Sequence, residues 1–398
     1  MNPYPVRAGD AADLPAIVRQ DGVQFGYEFR GPALDGVLRV LDPERFLVAT
    51  DGDRVIGASG EYELNFTAPG GALLDLPGIT WVSVAPSHTR RGVLRSLLQA
   101  QLRRYTDEGA LGTTLTASQS GIYGRFGFGA ATQVRQVSID VARARLLREV
   151  DATGVRIATP EQARTAMPAI HERWRRQIPG GIGRSEARWE AFVADLGAEG
   201  QPLMYLLHDD GFIAFRPKAK WVDGHSVAKA TITLYAAATA EAHAALWQTL
   251  LAAELYAEVD SVQLPADDPL EHLLTQPRRV RTTGLWDGGW LRPIDVPGLL
   301  AARTYAVEFE AVWDVRDALL GDGRYRVKAG PQGASVTRTD DVPDLVSDVA
   351  VLGSLYFGGH RLQSLAAAGL ARVDDPALLR RLDRALLADR APFCGLHF

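Results

Sequence analysis

The chain has 398 residues, of which 46% are hydrophobic and 23% charged, and its formal net charge is -5 at pH 7. This composition is typical of globular proteins, and the length predicts two or three domains at roughly 150 residues each. A mildly acidic chain without a block of like charge argues against nucleic acid or an anionic membrane as the main partner. Cys394 is the single cysteine, and the start of the chain lacks signal-peptide features. Together these features predict a cytoplasmic protein without disulfides.

The first 150 residues alternate helix and strand patterns. Hydrophobic spacing predicts helices over 11–20, 31–42 and from Val93 through about 18 residues. The predicted strands cover 45–50, 54–59, 60–66, 79–84, 113–117 and 133–140. Asp51-Gly52 joins the first two strands and is a strong hairpin signal. This order predicts an α+β domain built on a mixed sheet.

The rest of the chain contains a second unit of similar order and then a third segment. Helices are predicted over 161–177, 185–196 and 240–257, and strands over 203–208, 212–216, 227–235 and 259–264. This second unit has no counterpart of the run RRGVLR where its long helix begins. From about Trp290 the pattern shifts again to strands over 306–315 and 324–328 and to helices over 343–355 and 360–369. We therefore expect three domains, at 1–150, 151–289 and 290–398.

The run WVSVAPSHTRRGVLRSLL at residues 81–98 carries a binding signal. A strand ends there, a glycine permits a tight turn, and backbone N–H groups collect at the positive end of a helix dipole. Such a junction binds phosphate, because Gly92 allows close backbone approach and Arg90, Arg91 and Arg95 supply charge. The alternative is an ordinary helix start with solvated arginines.

The same run resembles motif A of the GNAT acyltransferases, which binds the pyrophosphate and pantetheine of acetyl-CoA. Leu94 departs from the motif, since a small residue is usual at its position. The resemblance implies that Val82, Ser83 and Val84 hydrogen-bond the pantetheine amides. The residues assigned to the cofactor on this basis are Val82, Ser83, Val84, Arg90, Arg91, Gly92, Val93, Leu94, Arg95, Ser118 and Gln119.

A second run, IYGRFGF at residues 122–128, resembles the Eis (enhanced intracellular survival) branch of the GNAT proteins. In that branch the tyrosine donates a proton to the departing CoA thiolate, so the resemblance implies that Tyr123 is the general acid. The alternative is that this tyrosine plugs an aromatic core. The similarity continues in order through WRRQIPGGIGRS, RTTGLW and VLGSLYFGGHR. It implies two GNAT-like domains, the second without cofactor, a domain similar to sterol carrier proteins, and a homohexamer.

The chain ends abruptly in the aromatic residue Phe398. In Eis-like proteins the terminal carboxylate reaches the catalytic site and takes the proton from the substrate amine. The resemblance therefore implies that the Phe398 carboxylate is the general base, which an amine with a pKa near 10 requires at pH 7. The alternative is a terminal aromatic residue packed for stability alone. His397 departs from the acidic residue expected beside it.

The remaining candidates concern the acceptor. A pocket for cationic amines needs carboxylates and aromatic walls. The candidates are Phe25, Glu28, Trp81, Trp286, Asp287 and His397. The eight histidines show no metal-ligand spacing, so no metal is expected. The leading hypothesis is direct acetyl transfer from acetyl-CoA to a primary amine of an aminoglycoside or a lysine-like compound. The alternatives are an oligomeric protein that binds acyl-CoA or lipid, and an enzyme that uses a longer acyl donor.

Overall fold

The computed structural model describes residues 4–31, 34, 37–38, 41–194, 201–396 and 398. The predicted helix at 31–42 lies largely outside this part of the chain. Within it, strands and helices form three larger mixed sheets with helices packed on their faces, so the predicted α+β class is confirmed.

The first unit is built on a seven-stranded sheet within the described residues. Its strands are β1 (Val6–Ala8), β2 (Phe46–Asp51), β3 (Arg54–Tyr62), β6 (Gly78–Val84), β7 (Gly112–Thr116), β18 (Gly289–Pro293) and β8 (Gly129–Ala130), in that spatial order. The helices α1 (Leu14–Phe25), α2 (Val93–Asp107) and α3 (Ser120–Tyr123) accompany them, with a small hairpin of β4 (Asn65–Thr67) and β5 (Leu73–Asp75). The predicted hairpin is confirmed, since β2 and β3 pair on both sides of Gly52.

The long helix α2 lies close to the sheet because a glycine leaves room for it. A Cβ atom on Gly57 of β3 would come within 2.7 Å of Val93 Cγ1 and 3.1 Å of Leu97 Cδ1. Leu98 and Leu102 continue the buried face one turn on. Full burial of each such side chain contributes roughly 1.5–3 kcal/mol. This packing fixes the start of α2 beside the end of β6.

The second unit repeats the arrangement within the same described ranges. Its strands in spatial order are β10 (Arg156–Ala158), β11 (Met204–His208), β12 (Gly211–Lys218), β15 (Ala228–Ala237), β16 (Tyr256–Leu264), β9 (Gln133–Asp140) and β17 (Val280–Asp287). Its helices are α4 (Pro160–Arg175), α5 (Glu186–Ala194) and α6 (Ala240–Leu251), and β13 (Trp221–Val222) and β14 (His225–Ser226) form a small hairpin. Both units thus have a parallel fourth and fifth strand followed by an antiparallel sixth.

The two units exchange a strand across the predicted boundaries. Strand β9, which the sequence groups with the first unit, pairs with β16 and β17 in the second sheet. Strand β18 follows the second unit in sequence but pairs with β7 in the first sheet, where Gly289 lies opposite Thr116. Alternation of polar and apolar residues predicts a strand but does not specify the sheet that it joins. The sheets therefore do not follow the division expected at residues 150 and 289.

The third domain contains a five-stranded sheet in the described residues. Its strands in spatial order are β21 (Gly333–Arg338), β20 (Gly323–Gly330), β19 (Phe309–Arg316), β22 (Leu345–Asp348) and β23 (Ala371–Arg372). Its helices are α7 (Val296–Ala301), α8 (Val349–Tyr356), α9 (Leu362–Ala367) and α10 (Pro376–Leu386). The core is shared with the first unit, since Leu352 and Phe357 belong to the same apolar cluster as Leu64 and Phe66.

After α10 the tail at 387–398 returns to the other two domains. The N–H of Phe393 donates to Pro179 O at 3.0 Å, and the N–H of Ile182 donates to Cys394 O at 3.3 Å. The Phe393 ring packs edge-on against Trp174 with 6.1 Å between centroids. These contacts hold the tail against the second unit and direct its last residue toward the first sheet.

Candidate active site

A cavity of about 650 Å³ opens where β6 and β7 separate. The residues that line it are Asp21, Phe25, Tyr27, Tyr62, Ile79, Thr80, Trp81, Val82, Thr116, Ser118, Tyr123, Arg184, Arg188, Ala191, Phe192, Leu396 and Phe398. They come from α1, β6, β7, α3, the α5 region and the tail. All three parts of the chain thus contribute, although most of the predicted chemistry belongs to the first unit.

The separation of the strands leaves one edge of β6, the edge toward β7, without a sheet neighbour beyond Ile79 in the described structure. Within the described residues β6 pairs with β7 only at Gly78 and Ile79, whereas on its other edge it stays paired with β3 as far as Val84. Trp81 has φ 52, a strained value for a bulky residue, and a register shift in β3 lies opposite it. The backbone beyond Trp81 is therefore available to hydrogen-bond an amide-bearing ligand.

Of the three predicted pantetheine contacts on β6, Ser83 can act only through its backbone. Its side chain is buried, and its hydroxyl accepts a hydrogen bond from Gln20 Nε2 at 3.1 Å. Val82 lines the cavity, and both Val82 and Val84 are half-buried. This arrangement suits amide hydrogen bonding by the main chain.

The loop between β6 and α2 leaves the start of α2 at Gly92 uncovered by other side chains in the described structure. Arg90 and Gly92 both have positive φ, 61 and 87. Gly92 precedes α2 without a side-chain cap, and a Cβ atom there would meet no heavy atom within 4 Å. The first N–H groups of a helix lack intrahelical acceptors, so this helix start presents donors to an anion.

The side chains around this helix start divide into two groups. Arg90, Arg91 and Arg95 are exposed and surround the positive end of α2, and Arg91 Nη1 lies 3.4 Å from the Tyr4 hydroxyl. Val93 is buried beneath Gly57 and can offer only its N–H, while Leu94 is half-buried. The junction fits a pyrophosphate in both shape and charge.

Tyr123 ends α3, a short helix in the glycine-rich run. Its side chain is 6% exposed, packs edge-on against Phe128 at 6.0 Å and lines the cavity. Burial raises the pKa of its phenol to about 12. The residue therefore packs in the core and also reaches the cavity, where it keeps its proton at neutral pH. Ser118 lines the cavity beside it, and the exposed Gln119 precedes α3 without lining it.

Phe398 reaches the same cavity from the tail. The Thr116 hydroxyl at the end of β7 donates a hydrogen bond to the carboxyl-terminal oxygen of Phe398. The ring lies over β6, where a Cβ atom on Gly78 would come within 2.7 Å of Phe398 Cε2. The structure thus brings the terminal carboxylate and the Tyr123 phenol into one cavity. The neighbouring candidate His397 lies outside the described residues.

One acidic residue of the cavity was missed by the sequence analysis. Asp21 of α1 is 4% exposed, the Tyr27 hydroxyl donates to its Oδ2, and its Oδ1 is buried without a partner in the described structure. Burial raises the pKa of this carboxyl to about 6. The sequence does contain a signal, because Asp21 follows Leu14, Ile17 and Val18 at helical spacing on the apolar face of α1.

The predicted acceptor residues are only partly brought together. Phe25 and Trp81 line the cavity, and Trp81 Nε1 donates to the Tyr62 hydroxyl at 2.9 Å. Glu28 does not line it. Its carboxylate is exposed, and Arg30 Nη2 donates to it at 2.5 Å. The structure therefore favours Asp21 over Glu28 as the acidic group that α1 and its following loop contribute.

Trp286 and Asp287 line a neighbouring cavity of about 550 Å³. This second cavity shares Thr116, Ser118 and Leu396 with the first. Trp290 Nε1 donates to Asp287 Oδ2 at 2.6 Å, so this carboxylate is already engaged in the described structure. Both residues lie next to the Phe398 cavity but not in its lining.

Two arginines of the cavity were also missed. Arg188 lies over the Tyr62 ring at 4.1 Å, and Arg184 lies 5.2 Å from the centre of the Trp189 ring. Arg184 donates through Nη2 to Gly395 O at 3.3 Å. Neither guanidinium has a carboxylate within ion-pair distance among the described residues. Arginine is common on surfaces, and nothing in the sequence distinguishes these two from solvated ones.

The described residues also lack two other kinds of feature. None of their helices has the length and apolar character needed to cross a membrane. No three side chains of His, Cys, Asp or Glu in these ranges converge as a metal site would require.

Comparison with known families finds three domains along the chain. An acetyltransferase (GNAT) domain matches residues 5–131, a second acetyltransferase (GNAT) domain matches 180–293, and a sterol carrier protein domain matches 296–395. The predicted architecture of two GNAT-like domains followed by a sterol-carrier-like domain is confirmed.

Individual relatives match almost the whole length. The N-acetyltransferase Eis of Mycobacterium tuberculosis is 38% identical over 378 residues, covering 91% of this chain and 92% of the relative. The crystal structure of Eis1 from Mycobacterium abscessus is 31% identical with a TM-score of 0.87, covering 99% of this chain and 100% of that one. A GCN5-related N-acetyltransferase from Anabaena variabilis has a TM-score of 0.86 at 18% identity, with the same coverage, and shares the fold.

Proposed function

Because the chain belongs to the Eis family of N-acetyltransferases, we propose that it transfers acetyl from acetyl-CoA to a primary amine bound in the cavity between Tyr123 and Phe398. One observation carries this proposal. A buried phenol, the terminal carboxylate and the opening of the sheet between β6 and β7 meet in a single cavity. These are an acid, a base and a place for an amide-bearing cosubstrate.

The residues at the β6–α2 junction fit acetyl-CoA. The edge of β6 that faces away from β3 has no sheet partner beyond Ile79 among the described residues, and its backbone at Val82 and Val84 would hold the pantetheine amides. The helix start after Gly92 would hold the pyrophosphate with Arg90 and Arg91. The cosubstrate supplies an acetyl thioester. Val93, Leu94 and Arg95 contribute backbone N–H groups, and Arg95 also contributes charge. Ser118 and Gln119 lie at the end of the strand that opens away.

In this proposal Phe398 removes a proton from the amine and Tyr123 donates a proton to the leaving thiolate. An alkylamine with a pKa near 10 is almost wholly protonated at pH 7, and its attack on a thioester requires loss of a proton. The Phe398 carboxylate takes that proton, and Thr116 holds the carboxylate in place. Tyr123 gives its proton to the departing sulfur. Since burial raises its pKa to about 12, the phenol is protonated at neutral pH.

The acceptor side combines a carboxylate with aromatic walls. Asp21, Phe25 and Trp81 line one side of the cavity, an arrangement that binds an ammonium group by charge attraction and cation–π contact. Trp286 and Asp287 in the adjoining cavity would contact a longer acceptor. We propose aminoglycosides and lysine-like amines as the classes to test first.

Release of the CoA thiol with a panel of primary amines tests this function. We expect release above the rate without amine for at least one class, together with a mass increase of one acetyl group on the acceptor. No release with any amine would refute the acetyltransferase proposal. Release only with non-aminoglycoside amines would refute the aminoglycoside claim. Native mass spectrometry of the purified protein would show a retained lipid if the chain were instead a lipid-binding protein.

We also propose a homohexamer, which the family resemblance implies, and a cytoplasmic location, which the composition with its single cysteine indicates. Light scattering coupled to size-exclusion chromatography measures the assembly directly, and a mass other than six times 43.1 kDa would refute it.

A further inference from the structure

The cavity has two walls of opposite charge. Asp21 lies on the wall made by α1 and β6, and Thr116 holds the terminal carboxylate of Phe398 nearby at the end of β7. Arg184 and Arg188 lie on the wall made by α5 and the segment before it. A cavity that served only to attract cations would not need two guanidinium groups in its lining.

The Arg188 guanidinium packs on the Tyr62 ring, and its N–H groups have no side-chain or backbone acceptor in the described structure. Its guanidinium carbon lies 4.1 Å from the centre of the Tyr62 ring. The donors of a stacked guanidinium point outward in the plane of the group, where they match the two oxygens of a carboxylate. No described residue accepts a side-chain hydrogen bond from Arg188. Burial lowers the pKa of this guanidinium, which nevertheless stays charged.

Arg184 likewise lacks, among the described residues, a hydrogen-bond acceptor for part of its guanidinium. Its Nη2 donates to Gly395 O, but its Nε is buried with no acceptor in the described structure. Its guanidinium also packs on the rings of Trp189 and Phe192 at 5.2 and 5.4 Å. An unsatisfied buried donor on a charged group is costly, so a ligand that accepts from it would be stabilised.

The buried arginines of the described structure have acceptors that this half-buried pair lacks. Arg175 lies 2.6 Å from Glu172, Arg292 lies 2.6 Å from Asp317, and Arg135 lies 2.9 Å from Glu271. Arg303 is satisfied by backbone carbonyls. Arg184 and Arg188 are the cavity's arginines, and they lack such an acidic neighbour in the described residues.

On the basis of the proposed function, we infer that the preferred acceptor carries a carboxylate as well as its primary amine, and that Arg188 and Arg184 bind that carboxylate. The ammonium or amine end lies toward Asp21 and the Phe398 carboxylate, and the carboxylate end lies toward α5. A volume of about 650 Å³ is in the usual range for small-molecule sites, so the cavity has room for an amino-carboxylate. Of the two acceptor classes proposed above, lysine-like amino acids should therefore be the better substrates, because an aminoglycoside carries no anionic group to pair with these two positive charges.

Matched acceptors test this inference. The probes are 4-aminobutanoate, 6-aminohexanoate and lysine, each compared with its carboxamide, which keeps the amine and removes the negative charge. CoA release at saturating acetyl-CoA gives kcat/KM for each pair. We expect at least one acid to exceed its amide tenfold or more, mainly through a lower KM.

Variants then assign the preference to the arginines. Arg188→Met should bring the acid-to-amide ratio of kcat/KM close to one, and Arg188→Lys should restore only part of it, because an ammonium lacks the guanidinium fork. Arg278→Met is the matched control, since Arg278 is exposed in the second unit and does not line the cavity. Its ratio should equal that of the native chain.

The outcomes separate this inference from the function on which it rests. Turnover of amines with equal kcat/KM for every acid and its amide, or a preference that survives Arg188→Met, would overturn the carboxylate claim and leave the acetyltransferase intact. If no amine is turned over, calorimetric titration of 6-aminohexanoate into the CoA-saturated protein decides instead. Binding that Arg188→Met weakens tenfold supports the inference, and absence of binding by any acid refutes it.

Discussion

The two GNAT-like units share a strand order but differ at one junction. In the first unit β6 and β7 pair at only two positions and then separate, and Gly92 begins α2 without a side-chain cap. In the second unit β15 and β16 pair in parallel from Ala228 to Ile232, and the Thr239 side chain accepts from the N–H of Ala242 at the start of α6. Both strand pairs end before the following helix, since β15 runs on to Ala237 without a β16 partner in the described structure. The paired stretch is longer in the second unit, however, and the helix start there is capped by a side chain.

The charges at the two helix starts differ in the same direction. The first unit surrounds the start of α2 with Arg90, Arg91 and Arg95, whereas the first turn of α6 carries Glu241. An acidic side chain in the first turn stabilises the helix and repels a phosphate. A shared fold therefore does not imply a shared site, and the uncapped helix start and its basic side chains make the first unit the better candidate for phosphate binding.

The largest effect is expected at Tyr123, the proposed general acid of the first unit. Tyr123→Phe removes one hydroxyl and keeps the ring that packs against Phe128. We expect kcat for acetyl transfer to fall roughly 100-fold, because general acid catalysis typically contributes at least that much. The thermal shift on adding acetyl-CoA should be unchanged. Native-like kcat would show that Tyr123 is a core residue only.

A large effect on binding is expected at Gly92. Gly92→Val places a β-branched side chain at φ 87, where such residues are strained, and covers the donors of α2. We expect KM for acetyl-CoA to rise about tenfold or more. Thr239→Ala, at the corresponding helix start of the second unit, should leave this KM unchanged. Equal effects of the two substitutions would remove the functional distinction between the uncapped and the capped helix start.

A moderate, pH-dependent effect is expected at Asp21. Its pKa of about 6 lies above the ordinary value of 3.8, so its negative charge appears as pH rises through about 6. KM for a cationic acceptor should therefore fall several-fold between pH 5 and pH 7. The Asp21→Asn variant should lack this change. A native-like pH profile of KM in this variant would assign the titration to another group.

The same shift predicts the direction of a stability change at Asp21. The folded state keeps its proton to a higher pH than the unfolded state does. The contribution of this group to the free energy of unfolding should therefore decrease as pH rises from about 4 to about 6. Thermal unfolding of Asp21→Asn across this range measures the difference.

The smallest effect is expected at Thr239. Loss of its cap in Thr239→Ala should lower the free energy of unfolding by about 1 kcal/mol. Denaturant unfolding at equilibrium measures this value, and kcat should not change. A loss of activity without a loss of stability would give the second unit a catalytic role that its capped helix start does not predict.

The sequence predicted correctly those secondary-structure elements that a single short pattern determines. The Asp51-Gly52 hairpin and the helix from Val93 depend on neighbours in sequence, and both were predicted. The predicted helix at 240–257 instead ends at Leu251, and Tyr256 begins a strand. An apolar run of this length suits either state, so packing with distant residues decides it. The same reason explains why β9 was grouped with the wrong sheet.

The candidate site shows a similar division. The helix-start pattern drew attention to Gly92, and the family resemblance drew attention to Tyr123 and Phe398. These three residues lie at the opening or in the cavity. Asp21, Arg184 and Arg188 were missed because their importance arises from burial and from the absence of described ion-pair partners. These properties appear only when α1, α5 and the tail come together.

The most direct test of the mechanism adds one glycine after Phe398. This extension moves the terminal carboxylate away from the Thr116 hydroxyl while it keeps the Phe398 side chain and every charge. We predict that kcat falls roughly 100-fold or more, as loss of a general base typically causes, while the thermal shift with acetyl-CoA is kept. An unchanged kcat in the extended chain would contradict the assignment of the base to the terminal carboxylate.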